Sequence, residues 1–78
     1  DILCATDPDA DRVGIGVKDD KGEWVLMNGN QTAVLAFNYM IEARKEKGLQ
    51  QSNDMVVKTI VTTNMIDEIA AHYGVACY

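Results

Sequence analysis

What this chain has little of narrows its chemistry before any motif is considered. Basic side chains are outnumbered, 7 Lys and Arg against 12 Asp and Glu, for a net charge of −5. That balance repels phosphate backbones and offers no basic patch, so no nucleic-acid partner is expected. No apolar run approaches the roughly 20 residues that cross a bilayer, so no membrane segment is expected either. Cysteine is limited to Cys4 and Cys77, each inside an apolar stretch and far apart in the chain. Without the CxxC spacing of a zinc or redox centre they are expected to be buried, reduced thiols, which suits a cytoplasmic protein. The one histidine, His72, has no second His or Cys at ligand spacing and is expected to cap or decorate a helix. Internal repeats and low-complexity tracts are missing too.

At 78 residues the chain has room for one small domain that buries only about 60% of its surface, so a marginal core is expected. It begins at Asp1 with the apolar run "DILCAT" and stops in the apolar run "GVACY". Both ends are expected to cut through structure, as in a piece of a longer protein.

The rest of the chain alternates strand and helix signals. Residues 1–6 predict a buried strand, and "VGIGVKD" (13–19), the turn "DKG" (20–22) and "EWVLM" (23–27) predict a hairpin. Gly14 and Gly16 are expected to permit close backbone approach near the loop that precedes them, and Trp24 to pack. "NGNQ" (28–31) reads as a turn and helix cap, and a helix is expected from Gln31 to Lys47, with Val34, Phe37 and Ile41 on one side. Leu35, Tyr39, Ala36 and Met40 widen its apolar face, which therefore expects cover on more than one side; without it, association through uncovered surface is expected. "MVVKTIVTT" (55–63) predicts a strand by its β-branched content. Asn64 then predicts an N-cap with Asp67 at N3, and Gly74 the end of a second helix before the strand "VACY". This order is that of an α/β fold, a fragment of three-layer type with a mixed sheet, in which a β-hairpin precedes a β-α-β-α-β succession. Parallel pairing is expected between "VVKTIVTT" and "VACY".

One stretch carries chemistry. "DPDADR" (7–12) sets Asp7, Asp9 and Asp11 at alternate positions directly after an apolar strand, where their mutual repulsion calls for a positive partner. Carboxylate oxygens gathered on a tight loop suit Mg²⁺, Mn²⁺ or Ca²⁺. An EF-hand would need Gly at its sixth place and Glu at its twelfth, where this chain has Arg12 and Lys18. Three carboxylates leave positions open on an octahedral ion for phosphate oxygens or water, and Arg12 beside them could fork onto a phosphate. The plain counterpart is a solvated acidic turn with Arg12 as a local salt bridge.

"ATDPDADRVGIGV" resembles the metal-binding loop of the α-D-phosphohexomutases, the phosphoglucomutase and phosphomannomutase family. "GEWVLMNGNQTAVLAFNYM" and "VVKTIVTTNMIDEIAAHYGV" resemble the hairpin and the succeeding helix, strand and helix of the same family. The resemblance implies that residues 1–27 end a second domain and 28–78 form most of a third. It implies that Asp7, Asp9 and Asp11 bind Mg²⁺, with Arg12 beside the phosphate of a phosphoserine. Hexose 1-phosphate and hexose 6-phosphate would be interconverted there. Ser52 is the chain's only serine and lies in a polar loop, so the fragment itself is expected to be inactive, with substrate-binding residues unknown. The competing reading is a free-standing acidic α/β module that binds a cation or a protein without catalysis.

Overall fold

Alternating apolar and small residues in the first third of the chain fold into three antiparallel strands, β1 (Ile2–Thr6), β2 (Val13–Lys18) and β3 (Trp24–Met27), paired in that order. These belong to a computed structural model that describes all 78 residues in two compact units, Asp1–Thr32 and Ala33–Tyr78. Within the first unit Ile2 pairs with Val17 and Thr6 with Val13, so the acidic loop is the connection that turns β1 back along β2. The β2–β3 connection is tied by Asp19, whose Oδ1 accepts the backbone N–H groups of Lys21 and Glu23 at 2.8 and 2.9 Å. Gly22 takes φ +78° in that turn, a conformation glycine adopts without steric cost.

Expected burial fails in this unit. Every residue of β1 is exposed, and Leu26 in β3 is 81% exposed. Cys4 is exposed rather than buried. The glycines in β2 do not mark close approach: a Cβ at Gly16 would meet Leu3 and Trp24 at the ordinary distances of 3.6 and 3.7 Å. Trp24 is half open, with the Lys18 ammonium 5.3 Å from its ring centre, so it packs only in part.

α1 (Gly29–Glu46) starts from a reciprocal cap. Gln31 N–H donates to Asn28 Oδ1 at 2.9 Å, and Asn28 N–H donates to Gln31 Oε1 at 3.0 Å. Two of the four orphan donors of a helix start are thereby satisfied, and the helix begins two residues earlier than its apolar pattern suggests.

In the second unit α1 is followed by β4 (Met55–Val56), α2 (Met65–Tyr73) and β5 (Ala76–Cys77). The strands pair in parallel, Met55 with Ala76 and Val56 with Cys77, as expected. The predicted strand over 55–63 is much shorter than its composition suggests. Beyond Val56 the ladder continues only through Tyr78, which donates to Val56 O and accepts from Lys58 N–H, and the chain then turns at Thr59–Thr62. β-branched residues favour a pleated surface only where neighbours pack on it, and Ile60 and Val61 here are 97% and 83% exposed.

Asn64 sits before α2 in helical geometry, φ −67° and ψ −10°, and its side chain makes no cap bond, contrary to expectation. Thr63 supplies an acceptor instead, its Oγ1 receiving Met65 N–H at 3.3 Å. Gly74 ends the helix at φ +70°, where Gly74 N–H donates to Ala71 O and Val75 N–H to Ala70 O. Ile41, Ile66 and Ala70 are the buried apolar side chains of this unit, one from α1 and two from α2. His72 is exposed and stands edge-on to Tyr73.

Candidate metal centre

The loop between β1 and β2 is closed by its own first and last residues. Asp7 N–H donates to Arg12 O at 3.3 Å, and Ala10 N–H donates to Asp7 O at 3.0 Å in a tight turn. Ala10 pays for that turn with φ +58°, the one positive φ outside glycine in the chain. Asp7 Oδ1 accepts the backbone N–H of Arg12 at 3.3 Å, while Asp7 Oδ2 accepts the guanidinium Nε–H at 2.7 Å.

This geometry brings all three sequence-predicted ligands together. One carboxylate oxygen each from Asp7, Asp9 and Asp11 lies within 4.8 Å of the others. Asp7 is half-shielded, whereas Asp9 and Asp11 face solvent. The donor set is all hard oxygen, which fits a small divalent cation and does not fit a soft one. Arg12 joins the cluster from its rim, with Nε also 3.6 Å from Asp11 Oδ1 and the side chain 83% exposed. Arg12 thus makes the local salt bridge of the plain reading, and its side chain is largely exposed.

Electrostatics follow the contacts. The Arg12 guanidinium holds the Asp7 carboxyl below the usual carboxylate range, against a smaller opposing effect of burial. Asp7 is thus ionised wherever the loop is folded at neutral pH.

Other polar clusters lie in the second unit. Lys58, the one cation of the chain that is not exposed, pairs with Asp67 at 3.1 Å. That partner lowers the Asp67 carboxyl, while burial, reinforced by Asp67, raises the Cys77 thiol above its ordinary value. Sequence reasoning passed over Lys58 because a lysine inside a β-branched run resembles an ordinary solvent-facing position. Arg44 forms a clasp of a different kind, donating from Nη2 to Leu49 O and to both Asp54 oxygens, with Asp54 Oδ2 also accepting Gln51 N–H. Gln51 N–H and then Arg44 lower the Asp54 carboxyl. A shallow apolar cleft of about 320 Å³ lies above this clasp, lined by Phe37, Ile41, Met55 and Val75 among others. Asn28 and Gln31 are spent on the helix cap, and Ser52 stands exposed in the 49–54 loop.

Comparison with known proteins adds what geometry cannot. Residues 28–78 match the family described as phosphoglucomutase/phosphomannomutase, alpha/beta/alpha domain III. The phosphoglucomutase of Staphylococcus aureus strain USA300 is 35% identical over 75 residues, which cover 96% of this chain and 13% of that protein. Those of strains NCTC 8325 and COL match to the same extent. The chain therefore spans about an eighth of the length of these curated relatives. No solved structure matches it.

Proposed function

Since the chain belongs to the phosphoglucomutase/phosphomannomutase family, we propose that its acidic loop is the metal-holding side of a phosphoryl-transfer site in a hexose-phosphate mutase. The observation that carries this reading is the meeting of the Asp7, Asp9 and Asp11 oxygens within 4.8 Å of one another. These three side chains would hold Mg²⁺. When bound, such an ion withdraws charge from phosphoryl oxygens and so favours their transfer.

The chain's own residues have distinct parts in this scheme. Asp7 fixes the loop through the Arg12 backbone and side chain, so the ligand set is positioned by the turn itself. Asp9 and Asp11 complete the set from the open side. Arg12 presents its outward N–H groups to a phosphate oxygen of a phosphoserine or of the hexose phosphate, a contact suited to its planar fork. The reaction we propose for the whole protein is interconversion of hexose 1-phosphate and hexose 6-phosphate through that phosphoserine, an intramolecular phosphoryl transfer. Ser52, the sole serine of this chain, lies in the 49–54 loop, outside the 7–12 cluster. The 78-residue chain alone accordingly turns over nothing. Residues 1–27 are read as the end of a second domain and 28–78 as most of a third. A cytoplasmic location agrees with two unpaired cysteines, and no helix is long and apolar enough to cross a membrane.

The test is Asp9→Asn in the full-length protein that carries this segment, assayed for glucose and mannose 1-phosphate conversion. Loss of one anionic ligand is expected to lower turnover by at least about tenfold, with partial recovery at high Mg²⁺. Unchanged turnover would sink the assignment.

A further inference from the structure

Arg12 touches an oxygen of Asp7, one of the three carboxylates that a cation at this site would use. Its Nε–H lies 2.7 Å from Asp7 Oδ2, and the same nitrogen is 3.6 Å from Asp11 Oδ1. The guanidinium therefore already supplies positive charge to two of the three carboxylates from the rim of the cluster. A dication seated among oxygens that lie within 4.8 Å of one another would share Asp7 with a like-charged group at close range. Such repulsion is weakly screened at a few ångströms, well inside a Debye length of about 8 Å at physiological salt. The side chain has somewhere to go: at 83% exposure, no packing holds it beyond this ion pair and its own stem.

We propose that Arg12 and the divalent cation are alternatives at Asp7, so that cation binding displaces the guanidinium and frees its Nε–H edge for an anion. The inference rests on the metal reading of the loop and adds an order of events to it. Metal comes first, and the complete planar fork of Arg12 becomes available to phosphate only afterwards. An anion approaching the unloaded loop meets Arg12 through its outer nitrogens alone, opposed by three carboxylates. The backbone bond from Arg12 N–H to Asp7 Oδ1 does not need the side chain and keeps the turn closed during the exchange.

Displacement has a signature that activity does not supply. The chain has two arginines, Arg12 and Arg44, hence two Nε–H signals in a ¹⁵N spectrum, assignable through Arg12→Gln. In the complete chain the Arg12 Nε–H is expected to exchange slowly with water, and to exchange faster in step with Mg²⁺ occupancy reported by the amides of residues 7–12. Arg44, paired with Asp54, serves as the unresponsive reference. Arg12→Gln is expected to bind Mg²⁺ about threefold more tightly, the scale on which one exposed ion pair competes. An Nε–H that stays protected at saturating Mg²⁺, or equal or weaker binding by Arg12→Gln, overturns the proposal and leaves the metal site standing. If Mg²⁺ moves no amide in residues 7–12, both the site and the proposal fall.

Discussion

At the scale of single residues, three aspartates set the acid response of this chain. Asp7 is held down chiefly by Arg12, Asp54 by Gln51 N–H and Arg44, and Asp67 by Lys58 and Cys77. Each carboxyl is more acidic in the fold than in the unfolded chain, so the unfolded chain binds more protons in the window between the two values. Stability from these pairs is fully present above the ordinary aspartate value of about 3.9 and is lost as pH falls through the lower folded values. The urea midpoint is expected to hold steady from neutral pH to about 5 and to fall below about 4, with a shallower fall in Asp54→Asn. A midpoint that rises on acidification, as relief of the net charge of −5 alone would give, contradicts this. The aspartate cluster was legible because alternate spacing after a strand leaves few ways to arrange three carboxylates. Asp19 was not, since its role depends on accepting two backbone N–H groups from beyond the turn that "DKG" marks. Lys58 was hidden for a related reason: its partner Asp67 comes from the helix that follows, a tertiary fact.

Among elements, local rules succeeded where the chemistry was local. The Asn28–Gln31 cap and the Gly74 stop act within a few residues, so their signals survive in the sequence. Asn28→Ala is expected to cost about 1 kcal/mol of helix stability, read as reduced far-ultraviolet helicity and an earlier unfolding midpoint. No change in either would mean that α1 does not depend on its capping box. Extent was harder to read wherever it depended on neighbours. "MVVKTIVTT" yields only β4 at Met55–Val56, because a two-residue partner strand cannot support nine residues of ladder. β1 was expected to be buried for its apolar composition, yet its residues are all exposed. Composition reports what a strand would tolerate around it, not what is there. The Asn64 cap failed for a third reason, since Thr63 one position earlier offered the acceptor instead.

The molecule as a whole belongs to the phosphoglucomutase/phosphomannomutase family and has an α/β fold, and we propose that its acidic loop is the metal-holding part. Tyr39, Leu26, Ile60 and Val61 are largely exposed. The chain corresponds to 13% of the length of the relatives it matches, and cation binding can be asked of these 78 residues directly. The most direct measurement is a Mn²⁺ titration of the chain followed by paramagnetic broadening of its amide signals. The account predicts broadening that begins at residues 7–12, spreads to the adjoining ends of β1 and β2, is reversed by Mg²⁺, and is lost in Asp9→Asn. Broadening scattered over the other carboxylates, or unchanged in Asp9→Asn, would contradict it.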